Sequence, residues 1–516
     1  MFSKISYHLP FLLLQASASF AAPRTPYTST NQSQGIQWSP CGFAEETLPL
    51  LCGSLFVPLD YLAPNSTETL ELKLAKVSAT KSPARGSILF NFGGPGAGGR
   101  EGLGSVAEQL NTYTGGYHDL VAFDPRGTVD TIPFSCFRNE SEKAIWQLTN
   151  RVIAGNSSDV ALGELWAIAQ SYGDTCQNNP NATSLGGVIG TAYTARDLIS
   201  VVDSLGEDGL LRFWGFSYGS ALGATVAAMF PERVDRVIID GVLNIHQYWN
   251  YHDVEMWEST DRTFSAFLEA CFKASDKCAL AHPNTTASSF EEEFYAWLED
   301  LKYHPISLPD YSIDYSGVKG FVTGALYTPQ NYGLLAEFIN NLMTGNLTDM
   351  VNMNLAVTST EARNGILCGD KVTRSSRMEE TLPAIDEQNE LSRLGGDVFS
   401  STIMQCARWP MAAKERYLGD FDVQTRHPIL TIGNTYDPVT PFVSALNASQ
   451  SFPGAVALKH NGFGHASLAQ ASACTVTAVQ AYFLNGTLPQ SGTVCEVDQP
   501  LFSDLTWKDV IPTDLS

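Results

Sequence analysis

Gly215-Phe216-Ser217-Tyr218-Gly219 stands between an apolar run ending in Phe213-Trp214 and a stretch of small residues, Ser220 to Met229, with helical character. A Gly-x-Ser-x-Gly set between a strand and a helix forces a tight, strained turn that lifts the serine hydroxyl clear of both elements. Side chains at 215 and 219 would collide with the adjoining backbone, so glycine is needed at both. The motif thus commits this part of the chain to a strand-turn-helix unit and makes Ser217 a candidate nucleophile. The pentapeptide alone carries little weight, because a chain with 42 glycines produces such spacings by chance. Its alternative is an ordinary strand-turn-helix with a buried serine, and the flanking pattern decides against that.

The segments around the motif repeat the same alternation. Cys52 to Leu59 and Leu70 to Ser78 form a hairpin-like strand pair, and Gly86 to Phe92 is a buried-strand pattern running into Gly93-Gly94-Pro95-Gly96-Ala97-Gly98-Gly99. Asp119 to Phe123 ends in the turn Asp124-Pro125-Arg126-Gly127. A helical pattern on Ala195, Leu198, Ile199, Val202 and Leu205 leads into the serine strand, and Val237 to Gly241 follows it. Strands alternating with helices imply a mostly parallel central sheet flanked by helices. From Asn244 to Trp409 the texture changes, with aromatics at helical spacing (Trp257, Phe264, Phe267, Phe272). Strand patterns resume at Pro428 to Gly433 and at Gly454 to Leu458. The expected organisation is one α/β domain: a first core section over 36–243, a helical cap over 244–409 inserted before the last strands, and a final core section over 410–500.

A serine hydroxyl is a weak nucleophile at neutral pH and needs a base within reach and a carboxylate to orient that base. Asp437, in Asp437-Pro438-Val439-Thr440-Pro441, follows an expected strand, and His465 lies in the glycine-flanked loop Gly462-Phe463-Gly464-His465 after the next one. Asp370 or Asp422 could replace Asp437 if the latter is only a turn residue before proline, and His460 is the rival of His465. Acyl transfer also needs donors aimed at the developing oxyanion, each worth about 3–4 kcal/mol. The backbone N–H groups of Tyr218, after the nucleophile, and of Gly94, in the glycine loop, are the expected pair. A phosphate-binding loop is a poor reading of that loop, since no Gly-Lys-Ser/Thr ending follows and Pro95 lacks a donor.

Charge narrows the partners. With 31 basic and 54 acidic residues the net charge is -23, which repels nucleic acid and anionic lipid surfaces. The expected partner is a peptide or small-molecule acyl substrate, with no nucleic acid and no stable membrane association. Residues 1–21 read as an export signal: Lys4, an apolar stretch from Leu9 to Leu14, and small residues around Ala16 to Ala21. Polar Gln15 and Ser17 cut the apolar stretch too short to span a membrane. A secreted chain fits the glycosylation sequons beginning at Asn31, Asn65, Asn139, Asn156, Asn181, Asn284, Asn346, Asn447 and Asn485. Ten cysteines suit an oxidising compartment, and proximity suggests the pairs Cys41 with Cys52, Cys136 with Cys176, Cys271 with Cys278, Cys368 with Cys406, and Cys474 with Cys495. No Cys-x-x-Cys or His-x-x-x-His occurs, so neither a metal nor an organic cofactor is expected.

The order serine, acid, histidine is the one that α/β-hydrolases use. Within that fold the chain resembles the secreted tripeptidyl aminopeptidase and prolyl aminopeptidase group of serine peptidases. The resemblance rests on Asn91-Phe92-Gly93-Gly94-Pro95-Gly96, Asp124-Pro125-Arg126-Gly127, Gly215 to Ser220, Asp437 to Pro441 and Gly462-x-Gly464-His465, with Cys368-Gly369-Asp370 and Cys406 to Trp409 beside them. One departure is Thr128-Val129-Asp130 after Gly127, which lacks a second glycine often found there. The resemblance implies a serine hydrolase removing short peptides or single residues from free N-termini. Such an enzyme must meet the substrate ammonium with carboxylates. Asp253, Glu255 and Glu258, with Asp261, are the candidates from the cap, and a solvated helix face is the alternative for them. Two other functions stay open: an esterase or amidase acting on a metabolite, and a non-catalytic binding protein of the same fold.

Overall fold

The computed structural model describes residues 35–42, 48–151, 153–308, 312–347 and 360–512. The export signal expected over 1–21 and the sequon at Asn31 lie outside the described residues.

Strands β1 (Ser39–Pro40), β2 (Leu51–Pro58), β3 (Thr69–Val77), β4 (Ser87–Asn91), β5 (Asp119–Phe123), β6 (Leu211–Phe216) and β7 (Val234–Asp240) build the first part of a central sheet. A small two-stranded sheet, β8 (Ile306–Ser307) with β9 (Ser312–Ile313), belongs to the insertion, and β10 (Leu430–Tyr436), β11 (Val456–Phe463) and β12 (Val494–Glu496) complete the large sheet. Its ten strands run in the order β1-β2-β3-β5-β4-β6-β7-β10-β11-β12. The β1–β2, β2–β3 and β3–β5 pairs are antiparallel, and every pair from β5 onward is parallel.

Because successive strand residues face opposite sides, β6 feeds two cores at once. Leu211 and Phe213 pack with the helices Thr191–Leu205, Tyr218–Met229 and Phe442–Ser451, while Trp214 and Phe216 pack with Gly99–Tyr113 and Ala473–Asn485. Both faces are covered, which is why these strands read as unbroken apolar runs. The sheet's carboxyl edge then carries the turns after β4, β6, β10 and β11, where sites form in open α/β sheets.

Between β7 and β10 the chain is mostly helical. Thr260–Lys273, Ala287–Leu301, Tyr315–Ala325 and Tyr332–Thr344 bury Phe264, Phe267, Phe294, Tyr332 and Ile339 in a core of their own. The insertion does not pack alone. Leu165 and Ala169, on the helix Ala161–Gln177 that precedes β6, join Ile385, Ile403 and Met404 in a separate cluster. Disulfides join Cys41–Cys52, Cys136–Cys176, Cys271–Cys278, Cys368–Cys406 and Cys474–Cys495. Among the described residues no helix is long and apolar enough to cross a membrane.

Candidate active site

Ser217 occupies the tip between β6 and the helix Tyr218–Met229 with φ 57° and ψ -124°, a conformation in which a non-glycine residue is strained. Its N–H donates to the Asp240 carbonyl at 2.9 Å. A Cβ on Gly215 would lie 2.1 Å from the Gly219 carbonyl oxygen, and one on Gly219 would lie 2.6 Å from that of Asn91, so the turn closes only with glycine at both positions.

The loop after β4 presses directly on this turn. Gly93 holds φ +91°, and a Cβ there would come within 2.7 Å of the Ser217 Cβ. Its N–H is engaged by Asn91 Oδ1 at 3.0 Å. Gly94 follows with φ +103° and lines a cavity of about 640 Å³ together with Ser217 and His465. That volume falls in the ordinary range for small-molecule pockets. Tyr218 opens its helix, where the first N–H groups have no partner within the helix. Its side chain is fixed from below: the Tyr218 hydroxyl meets Thr191 Oγ1 at 2.6 Å, and Thr191 Oγ1 and Tyr248 donate to Asp370 at 2.6 and 2.7 Å. Burial pushes the Asp370 carboxyl up to about 6. Asp370 therefore serves the floor of the elbow and does not meet His465, and Asp422 is exposed elsewhere.

Asp437, directly after β10, is fully buried. His465 Nδ1 lies 3.0 Å from its Oδ2 and 3.2 Å from its Oδ1. The same carboxylate accepts from the N–H groups of Val439, Thr440 and Ala466 and from the Thr440 hydroxyl. Burial raises this carboxyl, but the neighbouring His465 and these donors outweigh it and hold it below its ordinary value. The rival His460 is buried inside β11, where its Nδ1 meets Thr475 Oγ1 at 2.9 Å and burial lowers its pKa to about 4. It packs in the core and does not face the cavity.

The cap holds His465 from above. Its N–H donates to the Tyr327 carbonyl at 2.9 Å, and the Tyr327 ring meets the imidazole edge-on at 4.8 Å between centroids. Asn434 Nδ2 donates to the Gly464 and Ala466 carbonyls, fixing the loop on both sides of the histidine.

The acidic residues at the start of the cap separate. Asp253 lines the cavity and pairs with Lys371 at 2.9 Å. Glu255 turns to Ser444 and Asn447, at 2.5 and 3.0 Å. Glu258 is exposed, and Asp261 accepts from Ser392, Arg393 and Leu394. The reason is local: residues 255–257 form a single 3-10 turn, which spreads neighbouring side chains around its axis. The motif residue Arg126 is structural, donating from Nε and Nη2 to both oxygens of buried Asp197 at 2.7 Å. After Gly127, Val129 takes φ 41° at the position that departs from the resembled pattern. Of the described sequons only Asn447 is not exposed, and its amide nitrogen is the one bound to Glu255.

Charged cavity residues absent from the sequence motifs are Arg363 and Lys371. Asp240 was equally silent: its carboxylate accepts from Ser467 and Trp214 behind the elbow, and burial pushes it up to about 6.

Residues 88–318 match the family described as alpha/beta hydrolase fold, and residues 392–495 match the family described as TAP-like protein. Serine protease Hip1 of Mycobacterium tuberculosis (strain ATCC 25618 / H37Rv) is 25% identical over 487 residues, covering 90% of this chain and 91% of its own. Tripeptidyl aminopeptidase of Streptomyces lividans is 25% identical over 502 residues, covering 89% and 86%. Carboxylesterase B of Mycobacterium tuberculosis (strain CDC 1551 / Oshkosh) is 24% identical over 507 residues, covering 92% and 91%. The first family match contains Ser217, and the second contains Asp437 and His465. With its doubly covered, mostly parallel sheet and these matches, the chain is a serine hydrolase of the α/β-hydrolase fold whose C-terminal section is similar to the TAP-like family.

Proposed function

We propose that the protein is a secreted serine peptidase that releases short peptides or single residues from free N-termini. The observation that carries the chemistry is the meeting of Ser217, His465 and Gly94 in one cavity, with Asp437 3.0 Å behind the imidazole. Ser217 Oγ attacks the scissile carbonyl while His465 Nε2 takes its proton, and Asp437 orients the ring through Nδ1. The backbone N–H groups of Tyr218 and Gly94 receive the oxyanion. His465 then returns the proton to the leaving amine, and the acyl-enzyme is hydrolysed by water activated the same way.

The peptidase reading draws on the two relatives named for peptide cleavage and on Asp253, whose Oδ1 is buried without a hydrogen-bond partner at the cavity wall. A substrate ammonium is the group that such an oxygen would take up. Secretion is favoured by the disulfides and by the exposure of Asn65, Asn139, Asn156, Asn181, Asn284, Asn346 and Asn485. The relative named Carboxylesterase B keeps an esterase as the second reading.

The two part on one comparison: turnover of a tripeptide anilide with a free amine, its N-acetylated twin and a short-chain acyl ester. The exopeptidase cleaves the free-amine peptide and spares the acetylated one. Equal cleavage of both peptides, or hydrolysis of the ester alone, would overturn it.

A further inference from the structure

Arg363, half-buried in the cavity wall, stands apart from the buried cations. Arg126 is matched by Asp197, Lys319 by Asp397, and Lys371 by Asp253 together with the carbonyls of Gln247, Tyr248 and Tyr251. Arg363, on the helix Thr360–Asp370, has no carboxylate partner among the described residues. Its recorded contacts there are one long hydrogen bond, Nη1 to Thr402 Oγ1 at 3.4 Å, and the Phe399 ring, 5.3 Å from centroid to guanidinium carbon. The side chain lines the cavity that holds Ser217 and His465.

A guanidinium partly withdrawn from water in a cavity wall favours a counter-charge there. Burial pushes this guanidinium down from its ordinary value, with Tyr327 and Asp253 opposing. The acid of the cavity wall, Asp253, pairs with Lys371 through Oδ2 and makes no ion pair with Arg363, and burial lowers His252 to about 4, leaving it neutral. The charges of Asp253 and Lys371 cancel, so Arg363 leaves the cavity with a surplus positive charge in a chain of net charge -23. A guanidinium lying against an aromatic ring still presents its N–H edge, the fork that matches a carboxylate in bidentate fashion.

We propose that Arg363 is a specificity-determining residue that binds a carboxylate of the substrate, so that the cavity selects acyl substrates bearing a negative group. The carboxylate is either an acidic side chain or the free C-terminus of a short peptide, and both present the same group to the fork. This proposal rests on Ser217 being the nucleophile of the same cavity.

The test follows protection of Ser217 from a fluorophosphonate probe by matched competitors. One pair is an amidated tripeptide ending in Glu against its Gln twin; the other is a neutral tripeptide with a free against an amidated C-terminus. A charge-assisted bond of this kind predicts that the acid of one pair protects at roughly tenfold lower concentration than its twin. The pair that shows the preference names the source of the carboxylate. In Arg363→Gln the ratio within that pair falls to about one, and in Arg363→Lys part of it survives. Ratios near one for both pairs in the wild type, or a ratio unchanged in Arg363→Gln, would overturn the proposal. Should the glutamine variant not fold, the wild-type ratios and Arg363→Lys decide. Absence of labelling in the wild type would bring down the nucleophile reading itself, and this proposal with it.

Discussion

Ser467 donates to both carboxylate oxygens of Asp240, from Oγ at 2.5 Å and from its N–H at 3.0 Å. Asp240 ends β7, and its own carbonyl accepts the Ser217 N–H at 2.9 Å. One residue thus ties the serine turn to the segment that begins two positions after His465. Removing the Ser467 hydroxyl loosens the histidine relative to the serine while leaving the cavity walls intact. Ser467→Ala should lower kcat by about tenfold with KM little changed, since orientation is worth that much for a small misplacement. Steady-state kinetics check it, and a rise in KM at constant kcat would point to substrate binding instead.

Asp240 also makes a signed statement about pH. Burial pushes its carboxyl from 3.8 up to about 6. Between those values the folded chain holds a proton that the unfolded chain releases, so this contribution to stability falls as pH rises from about 4 to about 6. The size is on the order of 3 kcal/mol for a carboxyl raised from 3.8 to about 6. Asp240→Asn removes the titration. The difference in unfolding free energy between variant and wild type should therefore change between pH 4.5 and pH 7, in the direction that favours the variant at pH 7. Urea unfolding at both pH values measures it, and a constant difference would refute the assignment.

Asp437 has the opposite sign. Its carboxyl is held below the ordinary value, so the stability it supplies is present above the unfolded pKa and lost as pH falls through the folded one. At neutral pH it remains charged against His465. Asp437→Asn keeps the shape but presents the imidazole with the wrong partner, and by analogy with other serine triads kcat should fall by about 10³–10⁴. The folded state should survive, as judged by an unchanged circular dichroism spectrum. Retention of most activity would return the acid role to another carboxylate.

How much of this could be read from residues alone follows physical lines. The central strands are visible because they are buried on both faces: Ile88 to Phe90 and Phe213 to Trp214 leave no polar alternation to confuse. The proposed site residues Ser217, Asp437 and His465 stand out in the sequence because sharp turns need glycine, proline and aspartate at fixed offsets. Asp240 was not, since a carboxylate closing an apolar strand looks the same whether it meets water or, as here, Ser467 and Trp214. Arg363 and Lys371 carry no turn chemistry, and only the folding of Thr360–Asp370 over the sheet edge brings them to the serine. Glu255 and Glu258 show the converse: closeness in sequence suggested a shared site, and a single 3-10 turn sends Glu255 to Ser444 and Glu258 to solvent.

The cap's hold on His465 yields a last expectation. Gly464 has φ +85°, and a Cβ there would lie 2.5 Å from Pro329 Cδ and 2.7 Å from the Tyr327 carbonyl oxygen, the acceptor of the His465 N–H. A side chain at 464 must push the cap segment away or drag the histidine with it, and backbone at that distance cannot yield as a flexible side chain would. Either movement breaks the contact between His465 and Tyr327 without touching Ser217, Tyr218 or Gly94. Gly464→Ala should therefore slow fluorophosphonate labelling of Ser217 by at least about tenfold, because His465, the proposed base, is displaced while Ser217 is not. Tyr327→Phe keeps the carbonyl and the ring, and should label at close to the wild-type rate. If Gly464→Ala labels as fast as wild type, the backbone contact with the cap is only packing, and the histidine is positioned by its other partners, Asp437, Thr440, Asn434 and the Ser467–Asp240 tie.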